Sequence, residues 1–131
     1  FLSLYRRGKT SKMPKIVAGS SFKKNPIINA FLLNKETCED LIPDKIKESK
    51  INEPLINWHS IDGDLALDAI RKTNGWAADA TDKTMLNFSK LIREKEGMFV
   101  LPASTAGLIA LLSKKETISN DRFVVVLTGR K

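Results

Sequence analysis

The alternation of apolar and polar positions along the chain predicts short strands and helices that follow one another in turn. Residues 15–19 form a short apolar run with β-branched residues, which is typical of a strand. A helix should follow, because Asn25 can cap its first turn and Pro26 can occupy the first helical position. The apolar residues after Pro26 continue this helix to about Asn34.

Three more helices and a weak strand are predicted downstream, each from its cap residues and apolar spacing. The first is a helix capped by Asp64 and stopped by Gly75, and a weak strand at 76–80 follows it. The next helix runs from Thr81 or Asp82 to Gly97, with Met85, Phe88, Leu91 and Ile92 on one side. After an extended piece at 98–101, Pro102 opens a buried helix from Ala103 to about Ser113. The apolar side of the third helix is interpreted as core packing.

The last predicted element is a strand at 123–127, a continuous apolar run of β-forming residues. A strand without polar alternation is covered on both faces, as it is inside a parallel sheet. Strands that alternate with helices predict the α/β class. We expect a partial three-layer domain with a short, mostly parallel sheet flanked by helices.

Two regions do not fit this alternation. Residues 35–54 turn polar and charged, with prolines at 43 and 54, and are interpreted as a surface excursion with a short helix near 44–50. Residues 1–8 look like the last turns of a helix, with Gly8 in the left-handed stop position. A chain that starts on the final turns of a helix is expected to be part of something longer.

Composition changes this picture little. The chain has 131 residues, of which 42% are hydrophobic and 28% charged, as in an ordinary globular protein. It contains no apolar run long enough to span a membrane, and no secretory signal pattern. The single cysteine, Cys38, cannot form an internal disulfide and is interpreted as an incidental thiol, which fits a cytoplasmic location.

The net charge of +7 is concentrated in the first part of the chain. Seven basic residues and no acidic ones occur between Arg6 and Lys24. A basic segment of this kind can bind nucleic acid or another anionic partner. Because no aromatic stacking partners or nucleic-acid motif accompany it, we predict a solvated surface and no nucleic acid partner.

The best candidate site by position follows the final predicted strand. Ligands bind beyond the carboxyl ends of the strands in open α/β sheets, and the strand at 123–127 leads into Thr128 and Gly129. The Thr128 hydroxyl can pair with a ligand nitrogen, and Gly129 allows close approach of the backbone. A simple turn after a strand remains the alternative.

Other chemistries are poorly supported. Because the chain has a single histidine, His59, most histidine-dependent catalytic triads and histidine-rich metal sites are excluded. His59 is interpreted as a surface or cap residue. Asp62 and Asp64 could bind a cation, but helix capping is the simpler interpretation. Neither a dinucleotide-binding glycine motif nor a P-loop occurs in the sequence.

Several segments together resemble one enzyme family. KEGMFVLPASTAGLIALL resembles the threonine synthase pattern E-G-[IL]-F-x-E-P-A-S-A-A with its apolar helix, and RFVVVLTGR resembles the closing V-V-x-V-L-T-G-x-G-L-K segment. The stretch from IRKTNGW to REKEG is similar to the part of the family before these motifs, and PKIVAGSSFKKNPIINAF to its P-[RK]-[MI]-[VI]-G-V-[QE] strand followed by P-I-[VI]-x-A-F. Order and spacing match over nearly the whole chain, and the match is thin at 35–54.

The resemblance implies the C-terminal part of a threonine synthase, a fold-type II enzyme of the tryptophan synthase β-like superfamily that uses pyridoxal phosphate. Such an enzyme converts O-phospho-L-homoserine and water into L-threonine and phosphate. The resemblance also implies that Thr128 would hydrogen-bond the pyridine nitrogen, with Gly129 beside it. Pro102 and Ala103 would line the wall near the cofactor. No catalytic residue and no metal ligand are assigned within this chain.

Two positions limit the resemblance. The family usually has Glu where this chain has Leu101, which removes a carboxylate near the active site. The segment SSFKK looks like a Schiff-base lysine segment, but it stands where the family has a strand end, and no cofactor-phosphate loop follows. We therefore interpret Lys23 as a chance similarity and expect the chain alone to be inactive.

Alternatives remain open at this point. A cysteate synthase or a threonine/serine dehydratase belongs to the same superfamily, although dehydratases typically close with S-G-G-N rather than L-T-G. A non-catalytic basic α/β binding module is the alternative from another class. Exposed apolar surface is expected to favour a homodimer.

Overall fold

The computed structural model describes residues 1–114 and 122–129. Its helices and strands are, in chain order, α1 (Leu2–Arg6), β1 (Val17–Ser21), α2 (Pro26–Leu32), α3 (Gly63–Lys72), β2 (Trp76–Ala80), α4 (Asp82–Glu96) and α5 (Ala106–Leu112). Short 3₁₀ turns lie at Pro43–Lys45, Glu53–Leu55 and Pro102–Thr105. The α/β class predicted from the alternation of elements is confirmed.

The two strands pair in parallel, with Val17 opposite Trp76 and Ser21 opposite Ala80. Parallel strands need a long crossover, and here it contains α2 and α3. The carboxyl ends of both strands therefore lie at one edge of the sheet, which is the edge where ligands bind in open α/β folds.

Helix α5 packs closely against the sheet. At Gly19 a Cβ atom would lie 2.0 Å from the Ala106 carbonyl oxygen, so strand and helix touch backbone to backbone. The indole N–H of Trp76 donates to the Ala110 carbonyl at 2.6 Å. Since Trp76 begins β2 and the last residue of β2, Ala80, packs against Ala106, the start of α5 lies at the carboxyl edge of the sheet.

The other face of β1 is covered by the connection between α2 and α3. Neighbouring residues of a strand point to opposite faces. Because Gly19 meets α5, the next side chain, Ser20, points away from it, and its hydroxyl donates to the Leu55 carbonyl at 3.3 Å. The small central core contains Ala80, Met85 and Ala106, with Ile51, Leu55 and Ile109 packed against it.

Several predicted helix ends are confirmed. The Asn25 side chain accepts hydrogen bonds from the N–H groups at the start of α2, and Thr81 caps α4 through the Thr84 N–H. Gly97 closes α4 in the left-handed conformation with φ 66°. Gly8 also has φ 66°, after a first helix that ends at Arg6.

The predicted cap and stop of α3 are wrong. The helix is preceded by Asp62, which makes no capping bond, and Asp64 lies in its first turn. The Asp64 carboxylate instead accepts the backbone N–H of Cys38 at 2.6 Å. Asn74 takes the left-handed position after the helix, whereas a Cβ on Gly75 would lie 1.8 Å from the Ile16 carbonyl oxygen, so Gly75 serves a close backbone approach.

The predicted short helix near 44–50 is also wrong, since only the 3₁₀ turn Pro43–Lys45 forms there. The reason is local competition for backbone groups. The Asn52 side chain accepts the Ser49 N–H at 3.0 Å, and the Ser49 hydroxyl accepts the Asn52 N–H at 3.2 Å. These bonds hold residues 49–52 in a turn whose hydrogen bonds are incompatible with those of a helix.

The predicted buried strand at 123–127 is wrong as well. This segment contains no strand, and the exposed fractions of Val124 and Val126 are 91% and 71%. A β-forming sequence needs the backbone of a neighbouring strand, and β1 and β2 pair only with each other within the described part of the chain.

The remaining elements differ from prediction in detail. The helix opened by Pro102 starts as a 3₁₀ turn and becomes α-helical at Ala106, while Leu91 on the apolar side of α4 is 45% exposed. Strand β1 lies two residues later than predicted, and α2 ends before Asn34. Within residues 1–114 and 122–129, the structure contains no helix of the length and apolarity that crossing a membrane would require.

Candidate functional site

The turn Pro102–Thr105 is held rigidly at the start of α5. Its residues Ala103, Ser104 and Thr105 are buried, with exposed fractions of 5%, 6% and 0%. The Thr105 hydroxyl donates to the Pro102 carbonyl at 2.7 Å, which closes the turn on itself. Two of the residues assigned from the resemblance, Pro102 and Ala103, thus lie on a fixed and mostly buried piece of backbone.

Contacts with α4 fix the position of this turn. The Ser89 hydroxyl donates to the Val100 carbonyl at 2.8 Å, just before the turn. The Thr105 hydroxyl lies 3.4 Å from the Met85 carbonyl. Both bonds use polar side chains in place of the backbone partners that a strand would supply.

Gly129 joins this turn through its backbone. Its carbonyl accepts the Leu101 N–H at 3.0 Å, and its N–H donates to the Ser104 hydroxyl at 2.7 Å. A Cβ at this position would lie 2.7 Å from Leu101 Cδ1 and 2.8 Å from the Ser104 oxygen. The absence of a side chain therefore permits the junction, and the two segments singled out from the sequence meet here.

Thr128 lies beside this anchored glycine and is exposed. Within the described residues its hydroxyl makes no hydrogen bond, so both its donor and its acceptor capacity are free for a ligand. The structure thus brings together all four residues assigned from the resemblance, although the strand expected to lead into Thr128 is missing.

Leu101 occupies the position where the resemblance leads one to expect Glu. Its side chain is half-buried and covers the spot where a side chain on residue 129 would lie. An apolar side chain suits this packing, because a carboxylate in the same place would lose water without gaining a charged partner from Ser104 or Gly129.

Ser21 is a polar residue at this edge that sequence reasoning missed. It ends β1 and is 1% exposed, yet among the residues that the structure describes its hydroxyl has no hydrogen-bond partner. Ser21 points to the same face as Gly19, so its side chain is directed toward the α5 side of the sheet. A buried hydroxyl without a partner is uncommon in folded proteins. The double serine in AGSSF was the available signal.

A second polar group that sequence reasoning missed centres on Asp82 at the start of α4. The Ser49 hydroxyl donates to its carboxylate at 2.6 Å, and the buried Asn52 amide donates at 3.0 Å. The Ser49 bond lowers the pKa of Asp82, helped by Asn52 and by the charge of Lys24, while burial opposes the shift. The network ties residues 49–52 to the carboxyl edge of β2.

Lys23 lies in the turn that follows β1. It adopts the left-handed conformation with φ 56°, is exposed, and its ammonium sits 5.2 Å from the centre of the Phe22 ring. The cation–π contact and the turn account for this residue without a catalytic role.

The other candidates occupy structural positions. His59 is exposed and its Nδ1 lies 2.9 Å from the Asp40 carboxylate, as expected of a surface histidine. Burial and the neighbouring Asp64 raise the pKa of the Cys38 thiol, which disfavours a reactive thiolate. Among the residues that the structure describes, no group of three or more side chains could hold a metal ion.

Comparison with known proteins agrees with the resemblance to threonine synthases inferred from the sequence motifs. No protein-family model matches the chain. It is 33% identical over 125 residues to the threonine synthase of Methanocaldococcus jannaschii, a match that covers 93% of this chain and 30% of that protein. It is 30% identical over 124 residues to the threonine synthase of a Synechocystis species, covering 93% of this chain and 29% of that protein.

The chain thus spans about 30% of the length of the curated relatives it matches, a share consistent with the C-terminal part that the motifs indicate. Both relatives align with almost the whole of this chain. The similarity to threonine synthases inferred from the sequence motifs is therefore confirmed.

Proposed function

We propose that this chain forms one wall of the pyridoxal-phosphate site of a threonine synthase. The reaction would convert O-phospho-L-homoserine and water into L-threonine and phosphate. The observation that supports this most strongly is the similarity to threonine synthases over 93% of the chain. Thr128, Gly129, Pro102 and Ala103 would contact the cofactor.

The residues present fit part of such a site. An aromatic ring nitrogen needs a hydrogen-bonding partner, and the exposed Thr128 hydroxyl has no other partner among the described residues. Its position is defined because the next residue, Gly129, is bonded to Leu101 and Ser104. The Ser21 hydroxyl, at the carboxyl edge of β1, is a second polar group without a partner among the described residues.

When bound, pyridoxal phosphate supplies an electron sink for the bond changes in the amino-acid substrate. The contribution of Thr128 would be to orient the ring and to set its electronic character. A neutral hydroxyl, unlike a carboxylate, does not hold a proton on the ring nitrogen. Thr128 would therefore make a bound ring a milder electron acceptor than a carboxylate partner would, which suits a reaction that moves charge to the β and γ carbons of the substrate.

The buried turn Pro102–Thr105 would exclude water from one side of the ring. Several of its backbone polar groups already have partners, because the Pro102 carbonyl accepts the Thr105 hydroxyl, the Ala103 carbonyl accepts the Ala106 N–H and the Ser104 N–H donates to the Leu101 carbonyl. The surface that this turn offers to the ring would be mainly that of the half-buried Pro102, with the buried Ala103 behind it. An apolar wall of this kind strengthens polar contacts made elsewhere in the site.

The lysine that binds the cofactor would come from polypeptide beyond these residues, since we assign Lys23 to a surface turn. We therefore expect the 131-residue chain alone to form no lysine-bound cofactor absorbance and to release no phosphate from O-phospho-L-homoserine.

A chimera tests the proposal. The segment of the Methanocaldococcus jannaschii threonine synthase that aligns with this chain is replaced by residues 1–131, and phosphate release from O-phospho-L-homoserine is measured. We expect activity in the chimera and none in a control that lacks the segment. A folded chimera that binds pyridoxal phosphate but releases no phosphate would refute the assignment to threonine synthase.

The same chimera separates the alternatives. Turnover of serine, of threonine or of phosphoserine with sulfite, in place of phosphohomoserine, would favour a dehydratase or a cysteate synthase. Salt-sensitive binding of nucleic acid by the 131-residue chain would favour a basic binding module. A biosynthetic enzyme of this kind would act in the cytoplasm, which is part of the proposal.

A further inference from the structure

A surface cavity of about 490 Å³ lies at the edge of the sheet opposite the proposed cofactor wall. It is lined by Phe31, Asn34, Arg71, Asn74 and Gly75. Gly75 immediately precedes β2, so the cavity opens at the amino ends of the strands. The turn that leads into α5 lies at the carboxyl ends, and the two places are separate.

Two helices end at this cavity in the same way. Asn34 follows α2 and Asn74 follows α3, and both adopt φ 53°. The N–H of Asn34 donates to the Phe31 carbonyl at 3.2 Å, and that of Asn74 donates to the Arg71 carbonyl at 3.0 Å. Both asparagines line the cavity, and neither side chain has a hydrogen-bond partner among the described residues.

Arg71 gives the cavity a positive charge. Its guanidinium donates to the Lys35 carbonyl, which holds it between the two helix ends. Lys35 and Lys72 are paired with Glu39 and Asp68, respectively. Arg71 has no carboxylate within ion-pair distance in the described part of the chain, and most of its donors are left for another acceptor.

The helix ends supply the opposite charge. The carboxyl end of a helix carries a partial negative charge from its carbonyl groups, and α2 and α3 both terminate at this cavity. A cationic group is stabilised at such an end, and the Asn34 and Asn74 side-chain oxygens can accept hydrogen bonds from it. The half-buried ring of Phe31 adds an apolar surface.

A guanidinium beside two helix carboxyl ends matches a ligand that carries a carboxylate next to an ammonium group. We propose that this cavity binds a free α-amino acid in its zwitterionic form. Arg71 binds the carboxylate, the helix ends and the two carboxamides bind the ammonium, and Phe31 contacts the side chain. The site lies at the other edge of the sheet from the cofactor wall, so the bound amino acid is not the reacting substrate.

The experiment measures binding directly and does not require activity. The common L-amino acids are titrated singly into the ¹⁵N-labelled 131-residue chain, and the side-chain amide signals of Asn34 and Asn74 are followed by NMR. We expect saturable shifts with at least one of them. Its amide derivative and its N-acetyl derivative, which each lack one charge, should bind about tenfold more weakly.

Two variants distinguish the cavity from the rest of the surface. Arg71→Gln should weaken binding about tenfold, whereas Lys72→Gln, in the same turn of α3 but outside the cavity, should not. Asn74→Gly retains the left-handed backbone and removes one carboxamide, so it should weaken binding even if Arg71→Gln unfolds.

Three outcomes would each overturn the proposal. The first is that no amino acid shifts the Asn34 and Asn74 signals. The second is that the amide and N-acetyl derivatives, which each keep only one of the two charges, bind as tightly as the zwitterion. The third is that Lys72→Gln weakens binding as much as Arg71→Gln, which would indicate general attraction to a basic surface.

Discussion

The hydroxyl of Ser104 is hydrogen-bonded to both backbone polar groups of Gly129, accepting from its N–H at 2.7 Å and donating to its carbonyl at 3.1 Å. One side chain thus replaces the partner that a neighbouring strand would offer to this residue. The link explains how residues 128–129 remain next to the buried turn at the start of α5 although no strand leads into them.

Replacing Ser104 by Ala should release Gly129. Each lost hydrogen bond costs about 1 kcal/mol, and the Gly129 N–H would have to find water in its place. We expect the amide hydrogen of Gly129 to exchange faster and the free energy of unfolding to fall by about 1 to 2 kcal/mol. Hydrogen exchange followed by NMR measures the first effect.

The matched control for this variant is Ser113→Ala. The Ser113 hydroxyl donates to the Ala110 carbonyl at 2.7 Å, within its own helix end. Exchange at Gly129 should be unchanged in this variant. Equal exchange rates at Gly129 in the Ser104→Ala variant and the parent chain would show that the link does not hold residues 128–129 in place.

Replacing Gly19 by Ala should strongly destabilise the fold. The new Cβ would lie 2.0 Å from the Ala106 carbonyl oxygen, a backbone atom that moves only if the whole helix moves. We expect a loss of about 3 kcal/mol in the free energy of unfolding, measured by chemical denaturation.

Gly107 provides the comparison on the other side of the same contact. No atom lies within 4 Å of a Cβ built on Gly107, which is in α5. Gly107→Ala should stabilise the chain by up to about 1 kcal/mol, because Ala favours the helix. If Gly19→Ala were as well tolerated as Gly107→Ala, the close contact between β1 and α5 would be wrong.

The stability of the chain should depend on Asp82 in a defined direction of pH. The pKa of this carboxyl is lower in the folded chain than its ordinary value, chiefly because Ser49 donates a hydrogen bond to it. The stabilisation of the fold by the ionised Asp82 carboxylate is therefore complete above the ordinary carboxyl pKa of about 4. It disappears as the pH falls through the lower pKa that Asp82 has in the folded chain.

Asp82→Asn should accordingly reduce the melting temperature at neutral pH, and its difference from the parent chain should shrink as the solution is acidified. Asp44→Asn, at an exposed aspartate, serves as the control and should change little at either pH. A difference between Asp82→Asn and the parent that stays constant down to strongly acidic pH would contradict the proposed contribution of the carboxylate.

Thr128→Val should impair the chimeric enzyme without unfolding it, because the side chain is exposed and the change removes only the hydroxyl. We expect kcat/KM for O-phospho-L-homoserine to fall about tenfold, with a shifted absorbance of the bound cofactor and substantial recovery in Thr128→Ser. Thr37→Val, at another exposed threonine, should have no effect. Unchanged kinetics and absorbance in Thr128→Val would remove this residue from the site.

Elements whose signals lie within a few neighbouring residues could be predicted from the sequence. Asn25 and Pro26 start α2, and Thr81 and Gly97 bound α4, because capping involves groups only two to four residues away. The parallel pairing of β1 and β2 followed from helices placed between strands.

Features that depend on distant partners could not be predicted in this way. The β-forming segment 123–127 has no strand to pair with among the described residues, and the segment near 44–50 is held in a turn by the side chains of Ser49 and Asn52. The family motifs indicated Thr128 and Gly129, but the bond to Ser104 required coordinates. The pairing of the helix ends at Asn34 and Asn74 also required coordinates, because only the structure shows that the two asparagines line the same cavity.

The indole of Trp76, the first residue of β2, is hydrogen-bonded to Ala110 near the end of α5. Trp76 is only 6% exposed, whereas Trp58 is 51% exposed. The chain therefore contains its own optical reporter. Detachment of α5 from the sheet would move one fluorophore from an apolar setting into water and leave the other almost unaltered, so a red shift in emission would record the separation of these two parts without any added label.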